Sequence, residues 1–161
     1  MFDRAKPRVL AFRMIKDVEL AWLAGIVDGE ACIYAHWVNR GRYRTGGNVC
    51  IEMRLQVTSM VMIARVAELC EAMGVQYSPE PSRWLPKSTK PAHRISIRRQ
   101  TEVVRFLRFI RPYLVVKAAE ADTALAWYDK WGDQRLTPKG RASQEEKIVL
   151  FDRMRALKRT A

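Results

Sequence analysis

The stretch that decides the reading is LAWLAGIVDGEACIYA, residues 20–35. Leu20, Leu23, Ile26 and Val27 recur at spacings of three and four, which gathers them on one face of a helix. Asp17 is a candidate N-cap, so a helix is expected over 17–29. It ends on two carboxylates, Asp28 and Glu30. A helix C-terminus carries roughly half a negative charge, so acids there are disfavoured unless something compensates them. The period then changes to two: Ile33, Ala35 and Trp37 alternate with Tyr34, His36 and Val38, the pattern of a strand.

Reading outward from this junction, RYRTGGN (residues 42–48) is a turn in which Gly46 and Gly47 supply freedom at positive φ. In CIEMRLQV (50–57), Ile51, Met53, Leu55 and Val57 share one face, and Cys50, Glu52, Arg54 and Gln56 the other. Two period-two strands around a glycine turn make a hairpin. Thr58 or Ser59 caps a second helix whose apolar face is Ile63, Val66, Ala67, Cys70 and Met73, and Gly74 ends it. SPEPSRWLPKSTKPA (78–92) carries Pro79, Pro81, Pro86 and Pro91 and reads as loop or edge strand. HRISIR (93–98) alternates, with Ile95 and Ile97 inward. Helices are expected from about Thr101 to before Pro112 and over about 114–131. KWGDQRLTPKGRA (130–142) reads as a linker. SQEE (143–146) is a capping-box signature for a last helix ending near 158. The fold class is therefore α+β, with an α-β-β-α-β-β-α core, a twisted antiparallel sheet and C-terminal helices. Residues 1–16 form a basic arm, and 17–161 a single domain.

Composition narrows the function. With 161 residues and 48% apolar content, the chain can bury a real core. Lys plus Arg number 29 against 17 Asp plus Glu, a net charge of +12. A polyanion is the natural partner of such a chain, the plainer alternative being a merely basic soluble protein. No apolar run reaches bilayer-spanning length, and MFDRAKPRVLAFRMIKD at the N-terminus lacks the continuous apolar segment of a secretory signal. Cys32, Cys50 and Cys70 are odd in number and widely spaced, which suits a reducing compartment. His36 and His93 are the only histidines, so a multi-histidine zinc site within one chain is not expected. The expected setting is an intracellular reducing compartment that holds DNA, either bacterial or phage-infected cytoplasm or an organelle matrix. Neither a membrane nor a small-molecule substrate is expected as partner.

The outward face of the strands carries Tyr34, His36, Arg40, Glu52, Arg54, Gln56, Arg94, Ser96 and Arg98. A twisted antiparallel ribbon with such tips can enter a DNA major groove, where Arg suits guanine and Gln suits adenine. A solvated sheet face alternates in the same way. Pattern alone leaves both open; the charge favours DNA.

The run LAGIVDGEA, residues 23–31, resembles the signature of LAGLIDADG homing endonucleases, with Val27 and Glu30 as usual variants and Ala31 where the last glycine is customary. The α-β-β-α-β-β-α order is similar to that family's core. LQVTS (55–59) resembles the end of its second strand, and RPYLVVKAAEADTAL (111–125) its lysine-bearing segment. The resemblance covers about residues 17–131. A single copy of the motif points to the group whose members act as homodimers. Ala21, Ala24, Gly25, Asp28 and Gly29 put small groups on one helix face, which lets a second helix approach closely. Gly25 in a helix interior costs on the order of 1 kcal/mol against alanine, so it needs a packing reason. A neighbouring strand is the plainer candidate for that reason. If the partner is the same helix of a second copy, a two-fold axis brings two Glu30 carboxylates together.

The resemblance implies a site-specific double-strand DNA endonuclease acting on a long, near-palindromic target. It makes Glu30 the metal-binding acid, with the Gly29 carbonyl as a further ligand and Mg²⁺ or another divalent cation such as Mn²⁺ as cofactor. Two converging acids suit a divalent cation with oxygen ligands, which supports phosphodiester hydrolysis. Lys117 matches the family's active-site lysine, Gln56 and Ser59 fall where the family has residues near the cleft, and Asp28 supports the helix end or the interface. A strand of about ten residues spans roughly 33 Å, which is about ten base steps per copy and about twenty for a dimer. Two other readings remain: a non-cleaving relative of the same fold, either an intron maturase that binds RNA or a DNA-binding regulator, and a basic ribosome-associated module.

Overall fold

The computed structural model describes residues 14–38, 47–84, 89–133 and 137–160. Helix α1 (Asp17–Glu30) leads directly into β1 (Ala31–Val38), which pairs antiparallel with β2 (Asn48–Val57). Then come α2 (Met60–Ala72), β3 (Ser78–Trp84), β4 (Pro91–Ile97), α3 (Gln100–Ile110), a single 3-10 turn (Arg111–Tyr113) and α4 (Ala118–Trp131). A two-residue ladder, β5 (Gly132–Asp133) with β6 (Thr137–Pro138), precedes α5 (Gln144–Thr160). The described residues thus form an α+β fold with the α-β-β-α-β-β-α order and C-terminal helices. The main sheet runs β1-β2-β4-β3.

Register explains the two faces. Ile33 lies opposite Met53, Ala35 opposite Ile51, Met53 opposite Ile97 and Leu55 opposite Ile95. These side chains, buried apart from the half-buried Ala35, form the inner face. The core built on them also takes Leu23 and Val27 from α1, Val66 and Leu69 from α2, Phe106 and Leu107 from α3, Ala121 and Trp127 from α4, and Leu150 and Met154 from α5. Removing a side chain such as Phe106, fully buried there, costs about 3–5 kcal/mol by transfer plus cavity terms. On the outer face Tyr34 lies opposite Glu52, and Gln56, Arg94 and Glu80 align across three strands.

Several local expectations change. Lys16, not Asp17, is the N-cap of α1, because the Glu19 carboxylate accepts the Lys16 N–H at 3.0 Å. Cys50, assigned by alternation to the outer face, is buried. Residues 114–117 are not part of α4: Leu114 is extended and Lys117 is the N-cap. The proline-rich segment contains edge strand β3, bulged between Glu80 and Arg83. Part of the expected linker pairs as β5 and β6. Ser59 caps α2, its Oγ accepting the Met62 N–H at 3.3 Å, and Gly74 follows α2 at φ +66°. The capping box at Ser143 and Glu146 is closed in both directions, at 3.2 and 3.0 Å. Gly47 takes the expected positive φ, at 81°; Arg40 and Gly46 lie outside the described residues.

Candidate functional site

The acidic end of α1 is compensated from a distant part of the chain. The Asp28 carboxylate accepts the N–H of Val115 through Oδ2 and of Lys117 through Oδ1, both at 2.8 Å. Lys117 Nζ donates in turn to the Asp28 carbonyl oxygen, one of the carbonyls left without a partner at a helix end. Burial raises the Asp28 pKa, but the N–H groups of Val115, Lys117 and Val116 outweigh it and hold the carboxyl below its ordinary value. A cation at the C-terminus also opposes the helix dipole. Asp28 therefore ties the helix end to the lysine-bearing segment of its own chain.

Glu30, the last residue of α1, is exposed and makes no hydrogen bond or ion pair among the described residues. It stands two residues beyond Asp28, to which Lys117 is anchored. No group of three or more His, Cys, Asp or Glu side chains suited to a metal ion occurs among the described residues. Among the described residues, the end of α1 offers hard oxygen donors, the Glu30 carboxylate and the neighbouring Gly29 carbonyl. Such donors fit Mg²⁺, which takes one or two carboxylates together with waters and phosphate oxygens.

The outer surface of α1 is a stripe of small groups. Ala21, Gly25 and Gly29 are exposed. Cβ atoms built on Gly25 and Gly29 would meet nothing within 4 Å, so no strand among the described residues requires either glycine. Ala24 is fully buried in its own chain's core and presents no surface to a partner, a departure from the expected interface set. Beside the stripe runs an open groove of about 550 Å³ lined by Val18, Glu19, Trp22, Ser59, Val61, Met62 and Arg65. Ser59 therefore stands with the first half of α1. Glu30 lies two turns beyond Trp22, about 12 Å along the axis. The structure gives Ser59 a capping role and does not bring it to the acid.

On the outer sheet face, Tyr34 donates to Glu52 Oε2 at 2.9 Å, and burial first, then Glu52, pushes its pKa up to about 12. Glu52 Oε1 also stands 3.7 Å from His36 Nε2. The guanidinium of Arg54 lies 5.6 Å from the centre of the Tyr34 ring, and Lys158 of α5 lies over the same ring at 4.9 Å. Arg94 donates through Nε and Nη2 to Gln56 Oε1, at 3.1 and 2.5 Å, and through Nη1 to Glu80 Oε2 at 2.9 Å. Ser96 is 1% exposed, and its hydroxyl donates to Glu80 Oε1 at 2.5 Å. It is too buried to reach a ligand, contrary to expectation. Arg98 donates to Glu80 at 3.3 Å and remains exposed. The Ser96 hydroxyl first, then Arg94 and Arg98, outweigh burial and hold Glu80 at a pKa of about 2. Glu80 and Lys158 were missed in the sequence. A proline on either side hid the first, and nothing local to the last helix signals that its end returns to β1.

No family model matches the sequence, and no curated protein matches it. Solved structures do. The homing endonuclease I-TnaI is 21% identical, with a TM-score of 0.57 over 90% of this chain and 97% of that one. The I-SmaMI LAGLIDADG homing endonuclease, bound to cleaved DNA, is 17% identical, with a TM-score of 0.58 over 87% of this chain and 42% of that one. This chain has the LAGLIDADG fold. The homing endonuclease I-CvuI, in complex with a DNA target in the presence of Mg and with that DNA not cleaved, is 20% identical, with a TM-score of 0.53 over 88% of this chain and 95% of that one. In the LAGLIDADG fold as this chain builds it, Ala24 turns into the core, Ser59 caps α2 and Ser96 is buried against Glu80. No helix among the described residues is long and apolar enough to cross a membrane.

Proposed function

We propose that the chain is a site-specific double-strand DNA endonuclease that works as a homodimer, with a divalent cation held between two copies. The observation that carries this reading is the end of α1. An exposed Glu30 follows an exposed small-residue stripe, and Lys117 is fixed to the same helix end by two contacts with Asp28. Nothing among the described residues packs against the glycines of the stripe, and a second α1 would supply a reason for them. The groove flanking Val18 and Trp22 extends the apolar surface such a helix would meet. Solved structures of this fold include one bound to cleaved DNA.

Glu30 from each copy, with the Gly29 carbonyls, would hold Mg²⁺ or Mn²⁺. Such an ion, when bound, supplies water activation and charge neutralisation at the phosphate. The protein's own part is electrostatic and geometric. Lys117 places an ammonium at the helix end, where negative charge develops on a phosphate during hydrolysis. Asp28 fixes that ammonium without taking part in the chemistry. The sheet face, with Arg54, Gln56 and Arg98, positions the duplex and reads its bases.

The test is incubation of the protein with a randomised duplex library and Mg²⁺. The expected result is scission at one family of sequences, lost in Glu30→Gln while binding persists. Binding without scission in the unaltered protein, or binding to RNA alone, overturns the reading.

A further inference from the structure

Gln56 reaches the outer face with one half of its amide already engaged. Its Oε1 accepts two hydrogen bonds from Arg94, from Nε at 3.1 Å and Nη2 at 2.5 Å. A carbonyl oxygen has two lone pairs, and both are occupied. A guanidinium has donors only, so Arg94 fixes which end of the amide points away from it. Arg94 is itself held: Nη1 donates to Glu80, whose other oxygen takes the Ser96 hydroxyl. Side-chain exposure is 18% for Arg94 and 11% for Glu80, so the row is a built part of the sheet. It also follows the strand register, Gln56 opposite Arg94 and Arg94 opposite Glu80.

An unconstrained glutamine reads adenine by accepting from N6 and donating to N7. Gln56 cannot accept; only its NH₂ group is left. Taking the proposed DNA reading as given, we infer that Gln56 is a donor-only reader that selects a keto base, guanine or thymine, and that Arg94 is the positioning residue that makes it so. Guanine offers two acceptors, O6 and N7, and thymine offers O4; adenine offers N7 but sets its N6 amino donor beside it and cytosine presents an amino donor, so only the keto bases face a donor-only amide without an opposing donor. This reverses the adenine preference that glutamine suggests from sequence alone.

The experiment is binding selection from a fully randomised duplex library without divalent metal, using the unaltered protein, Gln56→Ala, Gln56→Glu and Arg94→Met. Circular dichroism and thermal unfolding confirm that each variant is folded. The position whose preference vanishes in Gln56→Ala belongs to Gln56. In the unaltered protein it carries guanine or thymine, favoured about tenfold to a hundredfold. Gln56→Glu keeps an acceptor for Arg94 but has no donor, and turns the preference to adenine or cytosine. Arg94→Met frees the carbonyl oxygen and admits adenine at this position only, a change that general loosening of the sheet would not produce. An amino base selected by the unaltered protein, or no position altered in Gln56→Ala, overturns the inference and leaves the DNA reading standing. A library from which no sequence is enriched overturns both.

Discussion

Asp28 and Lys117 are held together through both main chain and side chain: the Asp28 carboxylate accepts the Lys117 N–H at 2.8 Å, and the Lys117 ammonium donates to the Asp28 carbonyl. Because Val115 donates to the same carboxylate, the segment between the 3-10 turn and α4 has its N–H groups drawn toward α1. Asp28→Ala leaves two N–H groups without this acceptor; a hydrogen bond to a charged group is worth about 1.5–3 kcal/mol net, and less for a pair as open to solvent as this one. A loss of about 2 kcal/mol is expected in urea unfolding, with Asp28→Asn intermediate. An unchanged midpoint would show that the two segments dock without this carboxylate.

Gly25→Leu separates the protomer from its association. With open space around Gly25 in its own chain, a better helix former raises protomer stability by up to about 1 kcal/mol. In the proposed dimer the same side chain would block the close approach of a second α1. Sedimentation velocity is expected to show a dimer for the unaltered chain and a monomer for the variant. At a dilution where both are monomeric, the urea midpoint of the variant is the higher. A variant that stays dimeric would move the interface off this stripe.

Acid sensitivity follows from Glu80, whose folded pKa of about 2 lies below its ordinary value of 4.5. A depressed carboxyl contributes stability that is fully present above the unfolded pKa and is lost as pH falls through the folded one. The loss is therefore expected between about pH 4.5 and about pH 2. Unfolding measured across that range should be steeper in the unaltered protein than in Glu80→Gln. Equal slopes would mean that Ser96 and the arginines give the carboxylate nothing.

Much of α1 was legible because its information is local: apolar spacing, small residues and a terminal acid all fall within 14 residues. The hairpin was legible for the same reason, its alternation surviving almost intact in β1 and β2. Ser96 and Glu80 were not, because their meeting depends on β3 pairing with β4 across a bulge, and register between strands is not written in either strand alone. Residues 114–117 look helical by composition, but a carboxylate 87 to 89 positions earlier captures their donors. Ala24 shows the limit of counting small residues: spacing put it on the interface face, and the helix turns it inward.

Lys147 anchors the turn end of the hairpin from α5. It is 8% exposed, and its Nζ donates to the Gly47 carbonyl at 3.2 Å and to Asn48 Oδ1 at 3.1 Å. Lys147→Met keeps the buried stem and removes both bonds, for an expected loss of about 1–2 kcal/mol. Amide exchange should quicken at the first residues of β2 more than in α2 or α3. Uniform quickening would mean that the lysine supports the whole core and not the hairpin.

The sheet has two outer strands, and neither is open to extension. Pro79 and Pro81 deprive β3 of donors, and its bulge breaks the regular spacing a further strand would need. Beside β1 lies α5, with Phe151 tilted against Trp37 and Lys158 over Tyr34. Copies of this chain crowded at high concentration therefore lack a template for edge-to-edge growth into fibrils, and a row of arginines on the broad side can stay unobstructed without inviting aggregation.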